Sequence, residues 1–209
     1  MTSVATRDRR ERERADRHRR IVAVARELAE DQGWEAVTTR RLADRIEYSQ
    51  PVLYGHFPGG KDEIVAAVAL EGFAELATAL RAATDGAPAD GAPADGAVRA
   101  LASAYLAFAA EHPEVYRAMF DLASLPFARD DTPAALHDGF AAVRDVLAPG
   151  APADPGPYAE VGWATLHGLA TLSRSGRLPP EGAEARLTLA VDLLAGDAGA
   201  TGDRDRQYR

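Results

Sequence analysis

Apolar residues recur along this chain with the 3.6-residue period of amphipathic helices. No segment sustains the alternation of a strand, so the expected fold class is all-α. Ile21, Val24, Ala25, Leu28 and Ala29 stand at i, i+3, i+4, i+7 and i+8, a first helix that Gly33 should end. Thr38 is placed to cap a short second helix, Thr39 to about Ile46, buried through Leu42, Ala43 and Ile46. A break follows at Glu47–Ser49. Residues 50–57 then predict a third short helix with Pro51 in its first turn, where a missing N–H leaves nothing unpaired. Pro58, Gly59 and Gly60 stop it, and a long fourth helix is expected from Lys61 to Thr84, packed through Ile64, Val68, Phe73, Leu76 and Leu80.

The pattern then breaks at GAPAD, which occurs twice in succession at 86–90 and 91–95 and has the composition of a flexible connector; the loop is expected over 85–96. Val98, Leu101, Ala102, Tyr105, Leu106 and Ala109 mark a fifth helix, and Pro113 starts a sixth carrying Val115, Tyr116, Met119 and Phe120. Leu136, Phe140, Val143 and Leu147 mark a seventh. After the loop 149–157, PGAPADPGP, two more helices are expected at about 158–175 and 181–195, which makes about nine.

Composition narrows the classes. The 209 residues are 46% hydrophobic and 27% charged, ordinary for a water-soluble chain, and contain no Cys, which excludes disulfide frameworks, thiolate zinc sites and Cys nucleophiles. No stretch approaches the roughly 20 uncharged apolar residues of a spanning helix, and the Arg-rich start lacks an apolar signal core, so a cytoplasmic location is expected.

Charge is divided unevenly. Residues 1–61 hold 13 of the 24 Lys and Arg against 10 of the 32 acids, a net +3, and the remainder is −11. A basic module ahead of an acidic body suits a chain of which only the first part approaches a polyanion. Residues 7–20, RDRRERERADRHRR, carry eight Arg, four acids and no large apolar side chain, so they cannot bury themselves. Residues 1–16 are expected as a flexible Arg-rich arm, and residues 196–209 as a disordered tail.

Two short helices joined by a tight turn and preceded by a longer one form a helix-turn-helix module, expected over residues 17–60, whose second short helix can lie in the major groove of DNA. Its residues include Thr38-Thr39-Arg40-Arg41-Leu42-Ala43, then Ser49-Gln50-Pro51-Val52-Leu53-Tyr54-Gly55-His56-Phe57, then Lys61. On these residues the stretch from about 17 to 70 resembles the tetracycline-repressor-like (TetR/AcrR) transcription regulators. Their signature is a Thr-initiated helix, a turn, an LY.HF recognition helix and a Lys opening the fourth helix. The stretch WATLHG, from Trp163 to Gly168, is similar to the carboxy-terminal ligand domain of the subgroup named for a Trp-His-Gly pattern. One position departs: where the family usually has Gly in the turn, this chain has Glu47, which gives up easy access to positive φ and brings a negative charge towards the DNA.

By chemistry and by this resemblance, Thr38, Thr39, Arg41, Tyr54, His56 and Lys61 are expected on phosphates, and Tyr48, Ser49, Gln50 and Pro51 on base edges. Phe57 is assigned to the core by its spacing. A Lys at the start of a helix opposes the helix dipole, so Lys61 points to a partner anion.

Residues 61–195 are expected as a helical effector-binding and dimerisation domain. Tyr105, Phe108, Tyr116, Met119, Phe120, Phe140, Trp163 and His167 form the apolar set with a few polar tips that a small-molecule pocket uses, although aromatic residues at helical spacing also make plain core. The last two helices carry more apolar width than one intramolecular contact needs, which fits a homodimer. A dimer would set two recognition helices about 34 Å apart, one duplex turn.

No metal-binding His spacing, nucleophile elbow or phosphate loop assembles, so no catalytic residue, metal or cofactor is assigned. The sequence thus predicts a non-enzymatic regulator, a repressor that binds a pseudo-palindromic operator as a dimer and is released by a small molecule. The alternative is a helical protein-interaction module without specific DNA binding.

Overall fold

The computed structural model describes residues 2–85, 94–127, 129–151 and 154–195, and among these every regular element is helical. The helices are α1 Thr2–Gln32, α2 Thr39–Ile46, α3 Gln50–His56, α4 Lys61–Thr84, α5 Ala94–Glu111, α6 Pro113–Arg117, α7 Ala134–Leu147, α8 Pro155–Arg174 and α9 Ala183–Ala195. The all-α expectation holds, and α2 and α4 begin and end where the periodicity set them. None of the described helices is long and apolar enough to cross a membrane.

Three boundaries differ from expectation. Residues 2–16, expected as a flexible arm, are the first half of α1, supported by i,i+4 ion pairs such as Arg7 with Glu11 (3.0 Å) and Arg9 with Glu13 (3.6 Å). Helix α5 starts at Ala94, so residues 94–96 are helical rather than loop. Helix α8 starts at Pro155, inside the expected loop 149–157: proline suits a helix's first position, and the Asp154 side chain accepts from the Gly156 N–H at 2.9 Å. Most of the GAPAD repeat and the tail at 196–209 lie outside the described residues.

The chain divides into two compact units, Met1–Phe73 with His112–Pro133, and Ala74–Glu111 with Ala134–Arg209. The division falls inside α4, so it does not coincide with the expected domain boundary at residue 60.

In the first unit the inward faces of α1 to α4 bury Ile21, Val22, Leu28, Leu42, Ile46, Leu53, Phe57, Ile64 and Val68. Gly33 ends α1 at φ 78° and ψ 160°, a conformation open almost only to glycine. It turns the chain into a short 3₁₀ turn, Trp34–Ala36, that buries Trp34. Helix α6 joins this unit. The Glu30 carboxylate accepts from the backbone N–H groups of Glu114 (3.2 Å) and Val115 (3.0 Å), filling donors that a helix start leaves unpaired. The Trp34 indole N–H donates to the Glu114 carbonyl at 2.8 Å, and Arg117 pairs with Glu35 at 2.7 Å. α6 continues as a π-helical turn, Ala118–Leu122. Gly72 of α4 admits it closely, for a Cβ there would lie 2.6 Å from a Val115 methyl and 2.8 Å from the Met119 sulfur.

The second unit is built from α5, α7, α8 and α9, with α5 packed on the other three. Leu101, Ala102, Tyr105, Val143, Leu147, Ala159, Leu166, Val191 and Leu194 fill its core. Its polar links are few: the Trp163 indole N–H donates to the Tyr105 hydroxyl (3.1 Å), Tyr158 donates to the Leu194 carbonyl (2.8 Å), and Arg99 bonds Glu184 (3.1 Å) and Thr188 (3.0 Å).

Candidate nucleic-acid interface

The helix-turn-helix is set by local chemistry. Thr38 is extended and its hydroxyl accepts from the Arg41 N–H at 3.2 Å, which starts α2. Glu47 ends α2 in the left-handed region, at φ 59° and ψ 34°, where glycine would ordinarily sit. It is the one non-glycine residue with positive φ among the described residues, and it lets the Tyr48 N–H reach back to the Ala43 carbonyl at 3.0 Å. The departure seen in the sequence is therefore absorbed as local backbone strain, with the turn intact. Ser49 opens α3 with its carbonyl, which accepts from Val52 (3.0 Å) and Leu53 (3.3 Å).

Helix α3 has a dry side and a wet side. Leu53 and Phe57, four apart, are buried, as the spacing predicted for Phe57. Ser49, Gln50, Pro51 and Val52 face solvent, Tyr48 is half-buried beside them, and Tyr54 is 46% exposed. The Ser49 side chain makes no capping bond, so its hydroxyl is not consumed by the helix start. A single turn thus presents a hydroxyl, an amide, a proline ring and a valine outward. That mixture suits the edges of base pairs, where amides pair with adenine and apolar groups meet thymine methyls. Val52 was not among the expected contacts. Its signal was present in the sequence, since it lies off the Leu53–Phe57 stripe on so short a helix.

The expected phosphate contacts divide into two groups. Thr38, Arg41 and Tyr54 are exposed and Thr39 is half-buried, all around α2 and α3. Arg41 is also tied to its own module, donating to the Ala36 carbonyl (3.1 Å) and the Gln32 side chain (2.6 Å), which holds its guanidinium in place. Lys61 and His56 turn inward instead. The Lys61 ammonium donates to the Trp34 carbonyl, so the anion that its place at a helix start suggested is, in part, a backbone oxygen of this chain. The Nδ1 of His56 is buried without a hydrogen-bond partner. Burial, with the positive charges of Arg14, Arg17 and His18, holds its pKa below the usual histidine value.

The eight residues expected to line an effector pocket are split. Tyr105, Phe108, Phe140, Trp163 and His167 belong to the second unit, where Trp163 bonds Tyr105 and lies 5.9 Å from the Phe140 ring. His167 stands 3.5 Å from the Thr171 hydroxyl. Tyr116, Met119 and Phe120 belong to the first unit, where Tyr116 and Met119 are fully buried and Phe120 packs edge-on against Phe73 at 5.3 Å. Those three serve the core of the first unit.

Comparison with known proteins agrees with this geometry. Residues 21–68 match the family model described as bacterial regulatory proteins, tetR family, and residues 98–194 match the model of the tetracyclin repressor-like C-terminal domain. Over 37 residues the chain is 51% identical to the tetracycline repressor protein class C of Escherichia coli, a stretch amounting to 18% of this chain and 17% of that repressor. Among solved structures, a Rhodococcus sp. RHA1 protein of unknown function is 29% identical with a TM-score of 0.70, covering 85% of this chain and 92% of its own. A regulatory protein of the tetR family from Rhodococcus RHA1 is 21% identical, with a TM-score of 0.58 over 85% of this chain and 96% of its own. A variant of TetR from Acinetobacter baumannii AYE, solved in complex with minocycline, is 19% identical with a TM-score of 0.59, covering 84% and 92%. The last two likenesses are of fold.

Proposed function

The chain belongs to the tetR family of bacterial transcription regulators, and from that premise we propose that it is a repressor that binds a pseudo-palindromic operator as a homodimer and leaves it when a small-molecule effector binds. The observation that carries the reading is the outward first turn of α3, Ser49, Gln50, Pro51 and Val52, held by a buried Leu53–Phe57 stripe on one side and the strained Glu47 turn on the other. Thr38, Thr39, Arg41 and Tyr54 then fix the module on phosphates, and Tyr48, Ser49, Gln50 and Pro51 meet the bases. Lys61 and His56 act from behind this surface.

The homodimer reading rests on α8 and α9. Val161 is 63% exposed, Leu189 61% and Leu193 73%, and Leu189 and Leu193 share one face of α9 at i,i+4. Apolar side chains in such a row are costly in water, and a second copy meeting them around a twofold axis buries both sets. The acidic body makes a poor surface for DNA, which keeps the α3 face as the nucleic-acid side. For the effector, the Tyr105–Trp163–Phe140 group with His167 supplies an apolar wall with polar tips. Helix α4 runs unbroken from Lys61 to Thr84 and is the element through which effector binding would reach the DNA-binding module.

The test is selection of bound sites from a random duplex library, followed by titration of the winner with and without candidate effectors. An inverted repeat is expected, and an effector and operator should weaken each other's binding by the same factor. Enrichment of no sequence, with binding insensitive to salt, would overturn the reading in favour of a helical protein-interaction module.

A further inference from the structure

The outer half of α1 is more than a solvated extension. Arg10, Arg14, Arg17 and Ile21 lie on one helical side, at successive steps of four, three and four, and Ile21 is fully buried. The cationic stripe therefore continues the face of α1 that packs into the module. Arg14 crosses to α3, where its guanidinium donates to the carbonyl of Gly55 at 3.1 Å, close to the helix's C-terminal end. His18 stacks on the Phe57 ring at 4.4 Å, and its ring centre is 6.4 Å from that of His56. Gly55 has no neighbour within 4 Å of where a Cβ would stand, so the chain is open here.

This corner has too many donors. The Nε of Arg17 and the Nδ1 of His56 are both buried without a hydrogen-bond partner, and a buried unpaired polar atom costs about 1–3 kcal/mol. The groups whose charge acts on His56 are Arg14, Arg17 and His18, all cationic or able to become so. The acids of the neighbouring turns are engaged elsewhere: Glu11 with Arg7, Glu13 with Arg9, and Asp16 with Arg19. Positive charge converges on a point that no carboxylate of this chain neutralises, next to the helix that would enter the groove.

We propose that Arg14, Arg17, His18 and His56 form a phosphate-binding site at the junction of α1 with the C-terminal end of α3. Its occupant is a backbone phosphate of the bound duplex, additional to those met by α2 and the first turn of α3. The proposal rests on the DNA-binding reading above. It makes the Arg-rich first half of α1 part of the interface, with Arg14 and Arg17 as direct ligands and His18 and His56 as the groups that close the site. A bound phosphate would complete the donors now unpaired and would draw a proton onto His56.

Two measurements on the full chain test it. In the first, operator binding is titrated over a salt series for the wild type, the Arg14→Gln variant and the Arg14→Gln/Arg17→Gln double variant. The slope of log affinity against log salt should be shallower by about one in the double variant, the value of one phosphate contact. The exposed Arg14 substitution should give the same direction in a chain of wild-type melting temperature. In the second, inorganic phosphate is added without DNA while the ring signals of His18 and His56 are followed by NMR. Both should shift in the wild type and stay fixed in the double variant. Ring signals that ignore phosphate, together with unchanged salt slopes, overturn the site. Phosphate-dependent shifts with an unchanged slope assign the corner to free anions and overturn the DNA-phosphate occupant. Should the wild type select no DNA sequence, the repressor reading fails, while the phosphate titration still decides whether the anion site exists.

Discussion

In the unit that carries α1 to α3, side chains with charge or hydrogen-bonding tips reach between elements: Glu30 onto the start of α6, Trp34 onto Glu114, Arg117 onto Glu35, and Lys61 onto Trp34. In the unit of α5 and α7 to α9 the joins are mostly leucine, valine and alanine, and the surplus apolar surface faces out at Val161, Leu189 and Leu193. Polar joins demand a fixed geometry and lose most of their value when a distance changes, whereas apolar surface is non-directional and simply seeks cover. The first unit is thus built to hold one arrangement of a small surface. The second is built to be covered by something else.

That contrast breaks most visibly at α9. Replacing Leu189 and Leu193 together with Glu should convert a dimer into a monomer in sedimentation. It should also weaken binding to an inverted repeat by about a hundredfold or more, since the avidity of two linked half-sites is lost. A variant that sediments as the wild type does would remove the apolar face from the dimer and leave the second unit unexplained.

A smaller effect is expected in the first unit, where the turn after α2 trades stability for its residue. Glu47→Gly relieves a left-handed conformation that costs an ordinary residue about 1–2 kcal/mol, partly offset by the greater freedom of glycine in the unfolded chain. A net gain of about 0.5–1 kcal/mol in denaturant unfolding is expected, with an unchanged slope. Lower stability in this variant would mean that the Glu47 side chain has a task beyond the turn.

The smallest effect belongs to the polar join itself. A hydrogen bond from Arg117 holds the Glu35 carboxyl at about 2, below its ordinary 4.5. A carboxylate depressed in the folded state contributes stability above its unfolded value, and that contribution is lost as the pH falls from about 4.5 towards 2. Glu35 is well exposed, so the contribution is small. Carboxyl NMR should find Glu35 ionised below pH 3, and Arg117→Gln should return its midpoint to the ordinary range. A midpoint indifferent to that substitution would show that the pair exists without coupling.

Several of these features were legible beforehand. The cap at Thr38, the proline in the first turn of α3, the stop at Gly33 and the burial of Phe57 all follow from residues within a few positions of each other. The sequence also marked Glu47 as the place where the turn departs from its usual residue. What it misassigned had partners far along the chain. Lys61 reads as a free cation until Trp34 is brought against it, and Tyr116, Met119 and Phe120 read as pocket wall until Gly72 and Phe73 are found beneath them. The Arg14 contact to Gly55 joins residues 41 positions apart, a separation at which no periodicity carries information.

The sequence by itself therefore determined the helices, their caps and the identity of the outward turn of α3, because those depend on backbone conformation and on spacing within one or two helical turns. Only the tertiary structure decided which cations are spent inside the chain and which remain for a partner. That choice depends on which distant carbonyls and carboxylates come within about 3 Å, the range over which a hydrogen bond is made or lost.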